Sequence, residues 1–271
     1  MTEQAAHPLH TGRLAGKIVV VTGAARGQGA AEARALAAEG ALVISTDVLD
    51  FDADGAESQP WAQGNVVERR LDVTDADGWA QLADWLRGEH GRVDALVNNA
   101  GVAARERLPH VSLDQWHRTF DVNVTGPLLG MQALVPLMAP GSSIVNICSV
   151  AAVSGHAAAA YTASKWALRG LSRSASLELG ERGIRVNAIM PGLIDTPLMA
   201  SASPAFADAA VAEVPLGRMG VPADIAPTVV FLVSDDSAYY NGAEIVIDGG
   251  LTAHVSHKGI ADATRPPGPP G

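Results

Sequence analysis

The sequence predicts a doubly wound α/β fold, in which helices cover both faces of a parallel sheet. Three observations indicate this class: short β-branched runs recur along the chain, helix-forming segments separate most of them, and a glycine-rich turn joins the first run to the first helix. Right-handed crossover helices must lie over a parallel sheet, so this alternation favours such an architecture. At 271 residues the chain suits one large core. We therefore expect a single domain with a sheet of about seven strands.

The first strand and helix carry the strongest local signals. Residues 17–22 (KIVVVT) form a β-branched run between two glycines, which is typical of a strand buried on both faces. Residues 28–39 (QGAAEARALAAE) contain helix formers throughout, and Gly40 follows them as a natural C-terminal cap. The other predicted strands are residues 42–47, 95–98, 143–148, 185–190 and 244–247.

The two ends of the chain differ in composition from this alternating core. A polar segment precedes the first strand, and residues 265–271 (RPPGPPG) are too rich in proline and glycine to form a regular helix or strand. We predict a flexible arm over residues 1–13 and a Rossmann-type domain over residues 14–253. The remaining residues, 254–271, are predicted to be a tail that is mobile or docks on a neighbouring subunit.

Charge and composition argue against several classes of partner. The formal net charge of −10 repels phosphate backbones and anionic lipid, and an aromatic content of 4% leaves few platforms for stacking bases. The single cysteine, Cys148, cannot form an internal disulfide, and no apolar run is long enough to span a bilayer. The first 16 residues also lack the pattern of an export signal. We expect a cytoplasmic protein that binds neither nucleic acid nor membrane.

The turn between the first strand and the first helix reads TGAARGQG over residues 22–29. Its glycines, Gly23, Gly27 and Gly29, permit positive φ and lack the Cβ that would keep a phosphate away. The helix that follows presents free N–H groups and a partial positive charge to an anion. The turn, which includes Arg26 and Gln28, is therefore a candidate dinucleotide site. Glycine-rich turns of this kind also occur where only a tight backbone turn is needed. The other motifs of the chain must therefore distinguish a dinucleotide site from a purely structural turn.

Asp47 ends the second predicted strand, 18 residues beyond Gly29. This offset is close to the roughly 20 residues at which an acidic side chain meets the adenosine ribose hydroxyls of NAD. A 2′-phosphate would face that carboxylate at close range, which disfavours NADP. Arg26 leaves an alternative open, because a guanidinium in the turn could pair with a 2′-phosphate or cover the adenine. We give the opposing carboxylate more weight and predict NAD.

Four polar residues form a candidate catalytic group in the second half of the core: Asn123, Ser149, Tyr161 and Lys165. Tyr161 and Lys165 are i and i+4 in a helical segment, so they share one face about a turn apart. An adjacent cation stabilises a phenolate and draws the pKa of the phenol, ordinarily near ~10, towards working pH. Ser149 follows a buried strand, at the edge where open α/β sheets bind ligands.

These motifs occur in one order along the chain: TGAARGQG, Asn98-Asn99-Ala100-Gly101, Asn123, Ser149, Tyr161-x-x-x-Lys165 and Pro191-Gly192. Together they resemble the motifs of the short-chain dehydrogenase/reductase family, over residues 14–253. The resemblance implies that the predicted domain is catalytic. Within the family, the set of Asp47, LDVTD (71–75) and IDTPL (194–198) looks most similar to bacterial NAD-dependent hydroxysteroid and secondary-alcohol dehydrogenases. Gln28 departs from the family pattern, which usually has an aliphatic residue there.

The resemblance also implies roles for individual residues. Tyr161 would donate or accept the substrate proton, and Ser149 would hydrogen-bond the carbonyl oxygen. Lys165 would bind the nicotinamide ribose, and Asn123 would complete a water-linked proton relay. Coenzyme contacts are further implied for Asp72 and Val73 at the adenine, for Asn99, Ala100 and Gly101 on the adenosine ribose side, and for Pro191, Gly192, Ile194 and Thr196 near the carboxamide.

The substrate side of the site is less specific. His156 either contacts substrate or faces solvent, and Met199 begins a segment, 199–214, that is either a mobile cover or an ordinary helical hairpin. The small and apolar residues of that segment suit a small apolar alcohol or ketone. Cys148 is interpreted as an inert buried thiol, and no residues have metal-ligand spacing.

The sequence therefore predicts an NAD-dependent alcohol dehydrogenase or ketone reductase that uses Tyr161 as general acid/base. Three alternatives stay open: a preference for NADP, non-redox chemistry within the same family, and a regulatory protein that binds nucleotide without turnover. The resemblance also implies a homotetramer, associating through the strand at 244–247 and the helix that carries Tyr161.

Overall fold

A computed structural model of the chain describes residues 12–51, 65–202, 204–254 and 257–263. In these residues a sheet of 7 strands is parallel at every pairing. The strands are β1 (Ile18–Thr22), β2 (Leu42–Asp47), β3 (Val66–Arg70), β4 (Ala95–Asn98), β5 (Ser143–Ile147), β6 (Arg185–Pro191) and β7 (Glu244–Ile247).

The order of the strands across the sheet is β3-β2-β1-β4-β5-β6-β7. The chain therefore winds outwards from β1 in one direction and then outwards from β4 in the other. Val20 of β1 lies in register with Ile44 of β2 on one side and with Leu96 of β4 on the other. This arrangement confirms the predicted doubly wound, Rossmann-type sheet, and it creates a crevice beyond the carboxyl ends of β1 and β4.

Helices connect the strands and close the two faces of the sheet. The α-helices are α1 (Gly27–Ala38), α2 (Ala76–Glu89), α3 (Leu113–Phe120), α4 (Gly126–Leu134), α5 (Ala159–Gly180), α6 (Pro197–Ala200), α7 (Pro204–Ala212), α8 (Pro222–Val233) and α9 (His257–Ala263). A π-helical turn, Asp121–Thr125, joins α3 to α4 without a break. Within the described ranges no helix is long and apolar enough to cross a membrane.

Two apolar layers hold the helices to the sheet. On one face, Leu36 of α1 and Val229 of α8 pack with alternate strand residues such as Val21 and Val97. On the other face, Trp79 of α2 and Leu134 of α4 pack with the strand residues that point the opposite way. Because helices cover both faces of these strands, β1, β4 and β5 are buried along their full length.

One strand was not located by the sequence reasoning. Strand β3, with the sequence VVERR, lies at the edge of the sheet and is only partly buried. Its charged residues interrupt the apolar run that is typical of the inner strands. Elsewhere the predicted strand and helix ends differ from the observed ones by one residue at most.

The predictions for the two ends of the chain fall largely on residues outside the described ranges. Residues 1–11 of the predicted arm and residues 264–271 of the predicted tail are among them. The described part of the tail includes helix α9 and His254, whose Nε2 lies 2.9 Å from the carbonyl oxygen of Glu213. The flexible arm and the mobile or docking tail stay predictions.

Candidate active site

A cleft of about 630 Å³ opens at the carboxyl edge of the sheet. The segments that follow β1, β4, β5 and β6 form its floor and walls, which is where open α/β sheets bind their ligands. Asn99 ties two of these segments together, because its side-chain amide donates to the carbonyl oxygens of Thr22 at 2.9 Å and Gly23 at 3.1 Å. The cleft is therefore built around the crevice between β1 and β4.

The glycine-rich turn enters one end of this cleft. Gly23 and Gly27 have φ of 67° and 57°, values that side chains rarely allow. At Gly29 a Cβ would lie 2.2 Å from the carbonyl oxygen of Gly23, so only glycine fits there. Helix α1 begins at Gly27, and its first N–H groups have no partners within the helix. The turn forms a cradle that suits the pyrophosphate of a dinucleotide.

Asp47 lies at the end of β2, and its carboxylate lines the cleft. One carboxylate oxygen accepts from the backbone N–H of Ala25 at 3.0 Å, and the other accepts from the N–H of Leu49 at 2.9 Å. Each oxygen retains lone-pair capacity for a further donor, so the group fits the two hydroxyls of a ribose. Arg26 lines the same part of the cleft and also a smaller neighbouring depression that contains Arg70.

The polar side chain of Gln28 contacts another residue of α1. Its Nε2 donates to Oε1 of Glu32 at 2.9 Å, one helical turn further along α1. Glu32 is fully buried, and its other oxygen, Oε2, has no hydrogen-bond partner. Burial raises the pKa of the Glu32 carboxyl to about 8. Glu32 was not recognised from the sequence, because its burial depends on how α1 packs in the folded chain.

The residues predicted to be catalytic approach the middle of the cleft from two elements. Ser149 follows β5, and Tyr161 and Lys165 lie on α5; all three line the cleft. The Lys165 ammonium is 5.8 Å from the centre of the Tyr161 ring and donates to the carbonyl oxygen of Ile147 at 2.9 Å. The Ser149 hydroxyl accepts from the N–H of Ala151 at 3.1 Å, which leaves its own proton available for another acceptor.

Asn123 lies behind this group rather than in the cleft wall. It is fully buried in the π-helical turn, where its Nδ2 donates to the carbonyl oxygen of Val102 at 3.0 Å and to the Ser164 hydroxyl at 2.9 Å. Its Oδ1 accepts from the N–H of Val102 at 2.9 Å. Asn123 thus joins the segment after β4 to the residue that precedes Lys165.

The other predicted coenzyme residues divide into two groups. Those that line the cleft are Asn99, Ala100, Gly101, Pro191, Gly192, Ile194 and Thr196. Asp72 and Val73 are not among the described residues that line it. Asp72 instead accepts hydrogen bonds from the backbone and side chain of Thr74, and Val73 packs against Gly126 at the start of α4.

The substrate end of the cleft contains both predicted residues and two that the sequence did not indicate. His156 and Met199 line it, as predicted, with Phe206 packed edge-on against His156 at 5.7 Å between ring centres. Arg105 and Arg118 also line the cleft, and neither belongs to a recognised motif. Within the described ranges no group of 3 or more His, Cys, Asp or Glu side chains could hold a metal ion.

Comparisons with known proteins indicate one family of oxidoreductases. A family model described as enoyl-(acyl carrier protein) reductase matches residues 23–252. A 3-alpha-(or 20-beta)-hydroxysteroid dehydrogenase of Mycobacterium bovis is 40% identical over 251 residues, which cover 92% of this chain and 94% of the relative. A trans-4-hydroxycyclohexanecarboxylate dehydrogenase of Sinomonas cyclohexanicum is 39% identical over 250 residues, which cover 89% of this chain and 95% of the relative.

A solved structure shares the same fold. It is described as an NAD(P)-dependent gluconate 5-dehydrogenase of Beutenbergia cavernae with NADP bound at low occupancy. Its TM-score with this chain is 0.82 at 35% identity, and the match covers 89% of this chain and 98% of that one. The chain belongs to the short-chain dehydrogenase/reductase family of oxidoreductases.

Proposed function

We propose that the chain is an NAD-dependent dehydrogenase that interconverts a secondary alcohol and a ketone, with Tyr161 as the general acid/base. One observation carries the proposal: Tyr161, Lys165 and Ser149 line the same cleft that the glycine-rich turn and Asp47 enter from the other end. The two curated relatives support it, because both are named as dehydrogenases of hydroxylated compounds.

In the proposed reaction, Tyr161 and Ser149 act on the substrate oxygen. The Tyr161 hydroxyl gives its proton to the oxygen of a ketone, or takes the proton from an alcohol. The Ser149 hydroxyl donates a hydrogen bond to that oxygen, since its bond with the N–H of Ala151 uses the hydroxyl as acceptor and leaves its proton available. When bound, the nicotinamide coenzyme supplies or accepts the hydride.

Lys165 and Asn123 support Tyr161 in this proposal. The Lys165 side chain is 4% exposed and uses one of its three donors on the Ile147 carbonyl oxygen, which leaves two for a ribose hydroxyl or a water. Its ammonium lies 5.8 Å from the centre of the Tyr161 ring. Asn123 holds the segment after β4 against α5 through Val102 and Ser164, and so fixes the face of α5 that carries both side chains.

Asp47 supports NAD as the coenzyme. Its carboxylate is positioned by two backbone N–H groups at the end of β2, where a ribose 2′-phosphate would meet like charge. NADP is the second candidate, because Arg26 and Arg70 line the depression beside Asp47 and the Beutenbergia cavernae structure contains NADP. Arg70 is paired with Asp50 at 3.3 Å.

A panel of secondary alcohols and ketones, assayed with NAD(H) and NADP(H), tests the proposal. We expect turnover with kcat/KM at least about tenfold higher for NAD(H), since a tenfold ratio needs only about 1.4 kcal/mol of repulsion. Asp47→Ser should reduce or reverse that ratio. A higher kcat/KM with NADP(H) for the unaltered chain would contradict the choice of coenzyme.

The same assay addresses the remaining alternatives. Substrate conversion without net change in the coenzyme would indicate non-redox chemistry, and coenzyme binding without any conversion would indicate a regulatory protein. The homotetramer implied by the family resemblance and the cytoplasmic location expected from the sequence both stay predictions.

A further inference from the structure

Two arginines outside the recognised motifs, Arg105 and Arg118, line the cleft. His156 lines it with them, and the only carboxylate among the described lining residues is Asp47, which accepts from the N–H of Ala25 in the glycine-rich turn. This distribution contrasts with the chain as a whole, whose formal net charge is −10. Charge of one sign in a cleft raises the local concentration of ligands of the other sign.

Neither guanidinium is neutralised by a carboxylate within the described residues. Arg105 donates to two neutral oxygens, the Ser201 hydroxyl at 2.9 Å and the Leu198 carbonyl at 2.8 Å, and so fastens the segment after β4 to the end of α6. Arg118, on α3, forms no hydrogen bond or ion pair with any described residue. Acidic residues occur on the same two segments, but they do not line the cleft: Glu106, Asp114 and Asp121.

His156 adds a neutral donor to this region. Its Nδ1 accepts from the N–H of Ala158 at 3.1 Å, so the proton of the neutral ring lies on Nε2. Burial, together with the positive charges of Arg105 and Arg107, lowers the pKa of the His156 ring. The neutral ring therefore prevails near pH 7, with its Nε2–H as a donor.

We propose that the substrate carries a carboxylate away from its reacting carbon, and that Arg118 binds this group with help from Arg105 and His156. A guanidinium presents its donors in a planar fork that matches a carboxylate, and such charge-assisted hydrogen bonds are the strong ones. The carboxylate would supply the negative charge that the cleft lacks. This inference rests on the proposed function, and it replaces a wholly apolar substrate by one with an apolar body and an anionic end.

A matched pair of substrates tests the inference directly. A cyclohexanone that carries a ring carboxylate and its methyl ester have the same reacting ketone but differ in charge. The unaltered chain should reduce the acid with a kcat/KM at least about tenfold above that of the ester, as expected for one hydrogen bond to a charged group. Arg118→Gln should lower kcat/KM for the acid by about tenfold to a hundredfold and change that for the ester by less than about threefold.

Arg107→Gln is the matched control, because Arg107 is exposed, adjacent to the cleft and not part of its lining. It removes the same charge and should alter either substrate by less than about threefold, as expected for a screened surface charge. An ester reduced as well as the acid would overturn the inference, as would an equal loss for both substrates in Arg118→Gln. Weaker NADH binding by Arg118→Gln would also overturn it, since the arginine would then serve the coenzyme.

Failure of the inference can be told apart from failure of the proposed function. If the ester and unsubstituted cyclohexanone are reduced but the acid has no advantage, only the carboxylate site is wrong. If no member of the panel of secondary alcohols and ketones is turned over with either coenzyme, while NADH binds, the proposed function itself is contradicted.

Discussion

Glu32→Gln should remove a pH dependence from the stability of the fold. Glu32 is fully buried on α1, and one of its oxygens has no partner. Burial raises the pKa of its carboxyl from 4.5 to about 8, despite the opposing hydrogen bond from Gln28. The folded chain therefore holds a proton that the unfolded chain releases at lower pH. The stability that Glu32 contributes is fully present below pH 4.5 and is lost as the pH rises through about 8.

The size of this effect follows from the two pKa values. Between about pH 5 and about pH 9, the raised pKa should reduce the free energy of unfolding by about 4 kcal/mol. Glutamine has nearly the same shape and keeps an oxygen for Gln28, but it does not titrate. The variant should therefore lack this part of the pH dependence. Any change that the new amide makes to the free energy of unfolding should be the same at every pH.

Urea unfolding across this pH range, at one protein concentration, measures the difference between the two chains. Glu178→Gln is a suitable control, because Glu178 is exposed on α5 and the same chemical change there should leave the pH dependence unaltered. If unfolding free energies of the unaltered chain and of Glu32→Gln run parallel from pH 5 to pH 9, the buried carboxyl does not titrate as described.

Three further outcomes concern packing and reactivity. In a thermal unfolding assay, Gly29→Ala should destabilise the fold by at least about 2 kcal/mol, because its Cβ would lie 2.2 Å from the Gly23 carbonyl oxygen, and it should also weaken NADH binding. The control Gly88→Ala, whose Cβ would meet nothing within 4 Å, should be neutral or stabilising in the same assay. Leu96→Ala, in the fully buried centre of β4, should cost about 2–5 kcal/mol in urea unfolding, and a loss under 1 kcal/mol would contradict that packing. Burial raises the pKa of the Cys148 thiol to about 11. A disulfide reagent should therefore label this thiol at pH 8 only after the chain unfolds, and rapid labelling of the folded chain would contradict the prediction.

The parts of the fold that were predictable from sequence depend on local signals. The run of β1 is β-branched and nearly all apolar because helices cover both faces of the strand, and that pattern can be read without tertiary information. The proximity of Tyr161 and Lys165 follows from helical periodicity alone. The glycines of the turn indicate a close backbone approach, which the position of Gly29 against Gly23 confirms.

Other features depend on contacts between distant segments. Arg105 follows β4 and Arg118 lies on α3, so only the tertiary fold shows that both line one cleft with His156. Strand β3 pairs at the sheet edge, where half-exposed charged residues replace the inner-strand pattern. The burial of Glu32 depends on how α1 packs in the folded chain, and sequence spacing does not report that packing.

The most direct test of the account is the activity of Tyr161→Phe with NADH and a ketone that the unaltered chain reduces. The variant keeps the ring and removes only the hydroxyl, so NADH binding, measured by fluorescence titration, should change by less than about threefold. The kcat/KM for the ketone should fall by at least about a hundredfold, as expected for loss of a general acid. Ketone reduction within about tenfold of the unaltered chain would show that the Tyr161 hydroxyl does not carry the proton transfer.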